Sequence, residues 1–182
     1  MGYNLFLRLT AEADTSSDDF KTIEGNTLAA LENASTYPII PGDSQDTDFA
    51  GLIQVLAYDH QLGQQVANFP AAGVASHNTF FLQKSLDKSS VVLADLCNRG
   101  VPLRFAILYV IDDETSTGRR RVLNYLMFGV VVALFQHTST VTGTATNPPM
   151  ETLQLAYRAI RWVDPTNSLD KTADRLWINS PP

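Results

Sequence analysis

Three histidines, His60, His77 and His137, are the side chains best suited to proton transfer in this chain. Serine and aspartate are abundant enough to complete a Ser-His-Asp triad on paper, but no Gly-x-Ser-x-Gly elbow presents a nucleophile. Asp59-His60 makes a poor dyad, because successive residues of a strand point to opposite faces. Asp43, Asp46 and Asp48 precede Gly51 in the manner of a calcium loop. Counted from Asp46, however, Ala50 and Ala57 occupy places that need an oxygen ligand, so a solvated turn is the reading. Arg119-Arg120-Arg121 is the one basic run, and it lies beside a turn. Three residues are too few for a nucleic-acid site in a chain of net charge −6. Cys97 is the single cysteine, which excludes an intrachain disulfide and any zinc site built on several cysteines. Trp162 and Trp177 could stack on a ligand, although core or interface anchoring is their commoner use. No phosphate loop, dinucleotide fingerprint or paired catalytic carboxylates can be found. The residues therefore assign no catalytic, cofactor-binding or metal-binding position.

The elements that would have to carry such chemistry read mostly as strands. Tyr3, Leu5, Leu7 and Leu9 alternate with Asn4, Phe6 and Arg8. Further strand runs are Leu52 to Tyr58, Thr79 to Lys84, Leu103 to Ile111, Val122 to Gln136 and Thr152 to Val163. Gly129, inside the long run, marks a bulge or bend. Many strands at this spacing indicate a sandwich or barrel. One helix follows Asp87-Lys-Ser-Ser90, with Val92, Leu93, Leu96 and Cys97 at helical spacing and Gly100 as its stop. A weaker helix is expected from about Thr27 to Asn33. Residues 10–42 lack strand alternation and read as an inserted connection that decorates the domain without building its core. Residues 165–182 form a tail whose apolar group is Leu176-Trp177-Ile178. All 182 residues make one domain.

Charged residues are 18% of the chain against 45% hydrophobic, below the ~25% charged of an average soluble protein. That balance indicates a surface more extensively covered than a monomer's. The strand from Leu123 to Phe135 agrees, since both of its parities are apolar. Leu126, Phe128, Val130, Val132 and Leu134 form the second set, the candidate subunit interface. Either the helix or another subunit covers it. The longest apolar run, Tyr125 to Phe135, is far short of the ~20 residues of a membrane-spanning helix. With no basic leader before an apolar run, the default is a soluble protein made in the cytoplasm.

Several segments resemble one family. Tyr3-Asn-Leu-Phe-Leu-Arg-Leu9 is similar to the opening strand of the haemolysin-coregulated (Hcp) proteins, the inner-tube proteins of bacterial type VI secretion. The segment from Gly42 to Tyr58 resembles that family's "GES-D-x-H-x-G-x-I-D-V-L-x-W" stretch. Phe80-Phe-Leu-Gln-Lys-Ser-Leu-Asp-Lys-Ser-Ser90 matches its "F-x-K-x-x-D-K-x-S" strand-to-helix junction, the most specific element. Asn124-Tyr-Leu opens a strand like the family's long one. The segment from Glu151 to Trp162 resembles its final "E-x-x-x-L-x-F-x-x-I-x-W" strand. The chain departs from the family in the long connection after the first strand and in Asp59-His60.

The resemblance implies a mainly β fold, a compact β-barrel of two antiparallel sheets with one flanking α-helix. It implies a non-enzymatic subunit without cofactors. Six copies would close a ring, and rings would stack into a tube inside a contractile sheath, behind a spike tip protein, with effector proteins in the lumen. The tube protein would be cytoplasmic when assembled and secreted by the injection apparatus without a signal peptide. Nucleic acid and membrane insertion have no place in this scheme. The segment from Gly63 to His77 contains Val66, Phe69 and Val74 but no charge, and these three are the candidate contacts between stacked rings. The alternatives are a β-sandwich hydrolase using a histidine, or a carbohydrate-binding or adaptor module using the tryptophans.

Overall fold

The computed structural model describes residues 2–10, 23–33, 36–64, 75–113, 118–139, 141–142, 145–146, 149–167 and 169–174. Strand β1 (Tyr3–Leu9) is followed by a one-turn helix, α1 (Leu28–Leu31), and then β2 (Ile53–Asp59). A short hairpin, β3 (Leu62–Gln64) and β4 (Ala75–His77), leads to β5 (Phe80–Ser85) and helix α2 (Ser90–Arg99). The chain continues through β6 (Pro102–Asp112) and the 19-residue β7 (Arg120–Thr138). A second short hairpin pairs β8 (Val141–Thr142) with β9 (Ala145–Thr146). Strands β10 (Met150–Ala156), β11 (Ala159–Asp164) and β12 (Leu169–Asp174) complete the fold.

Strands β10, β5, β2, β1, β6 and β7 pair in that order, and β10 also pairs with the second half of β7. The sheet thereby closes into an antiparallel six-stranded barrel, which removes the exposed edges of an open sheet. The first half of β7 pairs instead with β11, and β12 adds to β11 as an outer ribbon. The one long final strand expected from the sequence is thus two, broken at Tyr157-Arg158. The break lets the chain change its partner strand along β7.

Two hydrophobic clusters result. The barrel interior holds Leu7, Ile53, Phe80, Leu82, Leu108, Met127 and Leu155, with Leu93 and Leu96 of α2 joining it. Helix α2 ends at Gly100, whose left-handed φ of 63° meets the expected stop. Val92, placed with the apolar face by its spacing, is instead exposed, as is Val91.

The second cluster lies outside the barrel. Phe6, Phe105, Ile107, Tyr109, Leu126 and Phe128 meet Ile23, Leu31, Tyr37, Phe49 and Leu52 from the connection and the turn after it. Thr27 caps α1 by accepting a hydrogen bond from the Ala30 amide, which aims Leu31 at the sheet. The connection therefore does more than decorate. Its described part covers one outer wall and builds a second core, and Ile40 reaches the interior cluster.

That arrangement corrects the expected interface. Leu126, Phe128 and Val130 are 0% exposed and Val132 is 1% exposed within the single chain, so no neighbour can reach them. Neither a second subunit nor α2 covers the outward pair, Leu126 and Phe128; the chain's own connection does. The set also does not share one face, since Leu126 and Phe128 join the outer cluster while Val130 and Val132 join the interior. Gly129, at φ 58°, reverses the facing between them in a backbone region costly for other residues. Across the ladder the same reversal falls between Leu103, which faces inward, and Phe105, which faces outward. Leu134 alone of the five stays partly exposed.

Candidate functional site

The strand-to-helix junction singled out by its motif forms a buried polar knot. Lys84 and Glu151 are direct partners across the β5–β10 ladder, and both side chains are 0% exposed. The Lys84 ammonium lies 2.5 Å from Glu151 Oε2 and 2.7 Å from Asp87 Oδ1. It also donates to the Ser85 carbonyl at 2.9 Å. Ser90 donates to Glu151 at 2.9 Å and accepts from the Asp87 amide at 3.0 Å. Asp87 Oδ1 accepts from the Ser89 amide at 2.8 Å, organising the entrance to α2. Half-exposed His137 sets Nδ1 3.1 Å from Glu151 Oε1. Two carboxylates thus share the one ammonium, and Glu151 Oε1 has no hydrogen-bond partner among the described residues. The knot joins β5, α2 and β10, and its chemistry is structural.

The acidic turn behaves as a clamp. Asp46 Oδ1 accepts from the amides of Asp48 and Phe49, and its carboxylate meets the Arg119 guanidinium at 2.6 Å. The hydrogen bond from Arg119 holds the Asp46 carboxyl below its ordinary 3.8. Arg119 also pairs with Asp113 and lies over the Phe6 and Phe49 rings. Arg121 pairs with Glu32 at 2.6 Å and lies over Phe49 and Tyr109. The basic run thus fastens the connection to the β6–β7 hairpin. Among the described residues no group of three or more His, Cys, Asp or Glu side chains could hold a metal ion. Cys97 is half-buried against the interior cluster, as is Trp162, while Trp177 lies outside the described residues. Val66, Phe69 and Val74 lie outside them too.

Two histidines that the sequence keeps apart meet at one phenol. Tyr157 Oη is 2.7 Å from His60 Nε2 and 3.2 Å from His77 Nδ1. Tyr157 is fully buried. His60 also stacks on Phe80 and meets the edges of Tyr125 and Tyr157, while Asp59 beside it is exposed. Nothing in the spacing of these residues signals the contact.

The remaining surface feature is a face nearly without charge. Where β2, β5, β10 and the second half of β7 form the barrel wall, the inward residues are Val55, Leu82, Leu153, Val132 and their neighbours. The outward ones include Gln54, Leu56 and Ala57 on β2, and Phe81, Gln83 and Ser85 on β5. Met150, Thr152 and Gln154 on β10 continue the face to Leu134 and Gln136 on β7. A bulge between Val55 and Ala57 brings Leu56 and Ala57 to the same side. Asp59 at the end of β2 is charged, and Asp43 and Asp87 border the face beside Gln54, Leu56 and Ser85. Sequence reading singled out only the apolar parity of β7 and missed this face, because its signal is scattered over four strands.

The chain is thus a closed six-stranded barrel with a flanking helix, a buried polar knot and a wide, nearly uncharged wall. The type VI secretion Hcp family model, described as "Type VI secretion system effector, Hcp", matches residues 20–163. The chain belongs to the Hcp family, whose members are tube proteins and not enzymes. A mutant form of Hcp1 from E. coli EAEC 042 superposes with a TM-score of 0.69 at 18% identity, covering 94% of this chain and 97% of that one. Hcp1 from Salmonella typhimurium gives 0.66 at 17% identity, with 95% of each chain covered. Secreted Hcp3 from Pseudomonas aeruginosa gives 0.65 at 11% identity, covering 95% and 98%. These likenesses establish the fold. No curated protein matches the sequence. Among the described residues no helix is long and apolar enough to cross a membrane.

Proposed function

We propose that this chain is the ring subunit of an ejected tube: six copies close around an open centre, and rings stack within a contractile sheath behind a spike. The observation that carries this reading is the nearly uncharged wall formed by β2, β5, β10 and the second half of β7. An assembling subunit of a family of tube proteins has a use for such a wall at the centre of its ring. There, amides and small apolar groups let effector polypeptides pass or lodge without strong ionic attachment. Helix α2 and the connection keep the barrel rigid without catalysis. Val66, Phe69 and Val74 are the proposed contacts between rings, and the tube leaves the cell through the apparatus.

Electron microscopy in negative stain tests the assembly: purified protein should show six-fold rings with an open centre. A protein that is monomeric at every concentration refutes the ring. The double variant Gln83→Lys/Gln154→Lys tests the facing. If the wall lines the centre, rings persist and bound effector is lost. Dissociation of the rings would place this wall at a subunit contact and overturn the assignment.

A further inference from the structure

We infer that the Tyr157 hydroxyl, held between His60 and His77, is a proton-operated latch that fastens the base of the β3–β4 hairpin to the barrel and releases it in acid. The placement supports this directly. His60 follows β2 and precedes β3, His77 ends β4, and Tyr157 sits at the break between β10 and β11. Among the described residues the hairpin strands pair only with each other, Leu62 opposite His77 and Gln64 opposite Ala75, and not with the barrel sheet. Both ends of the hairpin are thus tied to the barrel through one oxygen, at 2.7 Å and 3.2 Å.

A phenol has one hydrogen to donate, and its oxygen can accept. Two neutral imidazoles suit it: one donates N–H to the oxygen, and the other accepts the phenol hydrogen. Protonating the accepting imidazole turns it into a donor. The oxygen then faces two N–H groups, and the phenol hydrogen has lost its acceptor in that ring. Protonating both also sets two cations around one buried oxygen.

The described neighbours of His60 are mostly aromatic. The groups that face His60 are Phe80 on β5, Tyr125 on β7, Tyr157, and Trp162 on β11; Tyr58 on β2 packs on the same rings. Asp59 is the carboxylate that favours the charged form. Burial, followed by the proximity of His77, outweighs it and holds His60 below its ordinary 6.5. A lowered histidine contributes stability while it is neutral, above 6.5, and loses it as pH falls through the lowered value. The latch therefore holds at neutral pH and opens on acidification.

Amide hydrogen exchange on the whole protein tests this. Between pH 7.5 and pH 5.0, after correction for intrinsic exchange, the amides of residues 62–64 and 75–77 should lose at least tenfold protection while those of β6 and β7 keep theirs. Tyr157→Phe preserves the ring and removes the oxygen, so its hairpin should already exchange fast at pH 7.5 with little further change. His60→Gln keeps a hydrogen-bonding group that does not titrate, and should reduce the acid response severalfold. Unchanged hairpin protection in the native protein at pH 5.0 would overturn the latch. So would a Tyr157→Phe hairpin that keeps both its neutral-pH protection and its acid response.

Discussion

Replacing Lys84 with methionine is the sharpest test of how the junction is held. The substitution preserves much of the stem's volume and removes only the ammonium. In the native chain that ammonium lies within 2.7 Å of Asp87 and 2.5 Å of Glu151, with Lys84 and Glu151 both at 0% exposure. Two carboxylates that share one nitrogen at these distances can be no more than about 5 Å apart. At an effective dielectric constant near 20, their mutual repulsion is then ~3 kcal/mol. Removing one member of a buried ionic group costs about 3–5 kcal/mol in general, and the two estimates agree. A loss of ~4 kcal/mol is a large part of the ~5–15 kcal/mol that stabilises a typical domain. In urea, a dependence near 2 kcal/mol per molar turns it into a fall in midpoint of about 2 M. The double variant Lys84→Met/Glu151→Leu removes both buried charges and leaves Asp87 with the Ser89 amide. It should recover more than half of the loss. A single Lys84→Met variant that loses less than ~1 kcal/mol would show that the knot is not a buried ionic group, and the account of the junction would fail with it.

Two other perturbations follow from the outer wall. Leu31→Ala, at a position fully buried against the sheet, should cost about 2–5 kcal/mol by equilibrium denaturation, and a loss near zero would return the connection to mere decoration. Arg119→Ala should let the Asp46 carboxyl rise back toward 3.8, read by carbon NMR of the carboxyl group. The stability that Asp46 contributes in the native chain is present above 3.8 and lost as pH falls through its lowered value. The variant should show less of this acid loss.

Much of the barrel was legible along the chain. Period-two alternation located β1, and apolar runs bounded by turn residues located β2, β5 and β6. Capping chemistry and Gly100 bracketed α2. The resemblance of Phe80 to Ser90 to the family's strand-to-helix motif marked the junction. Scarce charge in the sequence has its counterpart in the nearly uncharged wall. Its location was not legible, because outward residues on four separate strands meet only after the sheet closes.

The sequence by itself therefore determined the local elements and the family. The tertiary structure decided which face of each strand means what. Gly129 shows why: alternation predicts one facing for Leu126, Phe128, Val130 and Val132, and a single left-handed residue divides the set between two cores. Coverage of Leu126 and Phe128 was likewise undecided, since an apolar parity states that something must cover it and not what does. Ile23, Leu31 and Tyr37 supply that cover from a segment with no strand pattern of its own. The meeting of His60, His77 and Tyr157 lies beyond any local reading. The first and last are 97 residues apart, and only the path of the closed barrel brings three side chains to one oxygen.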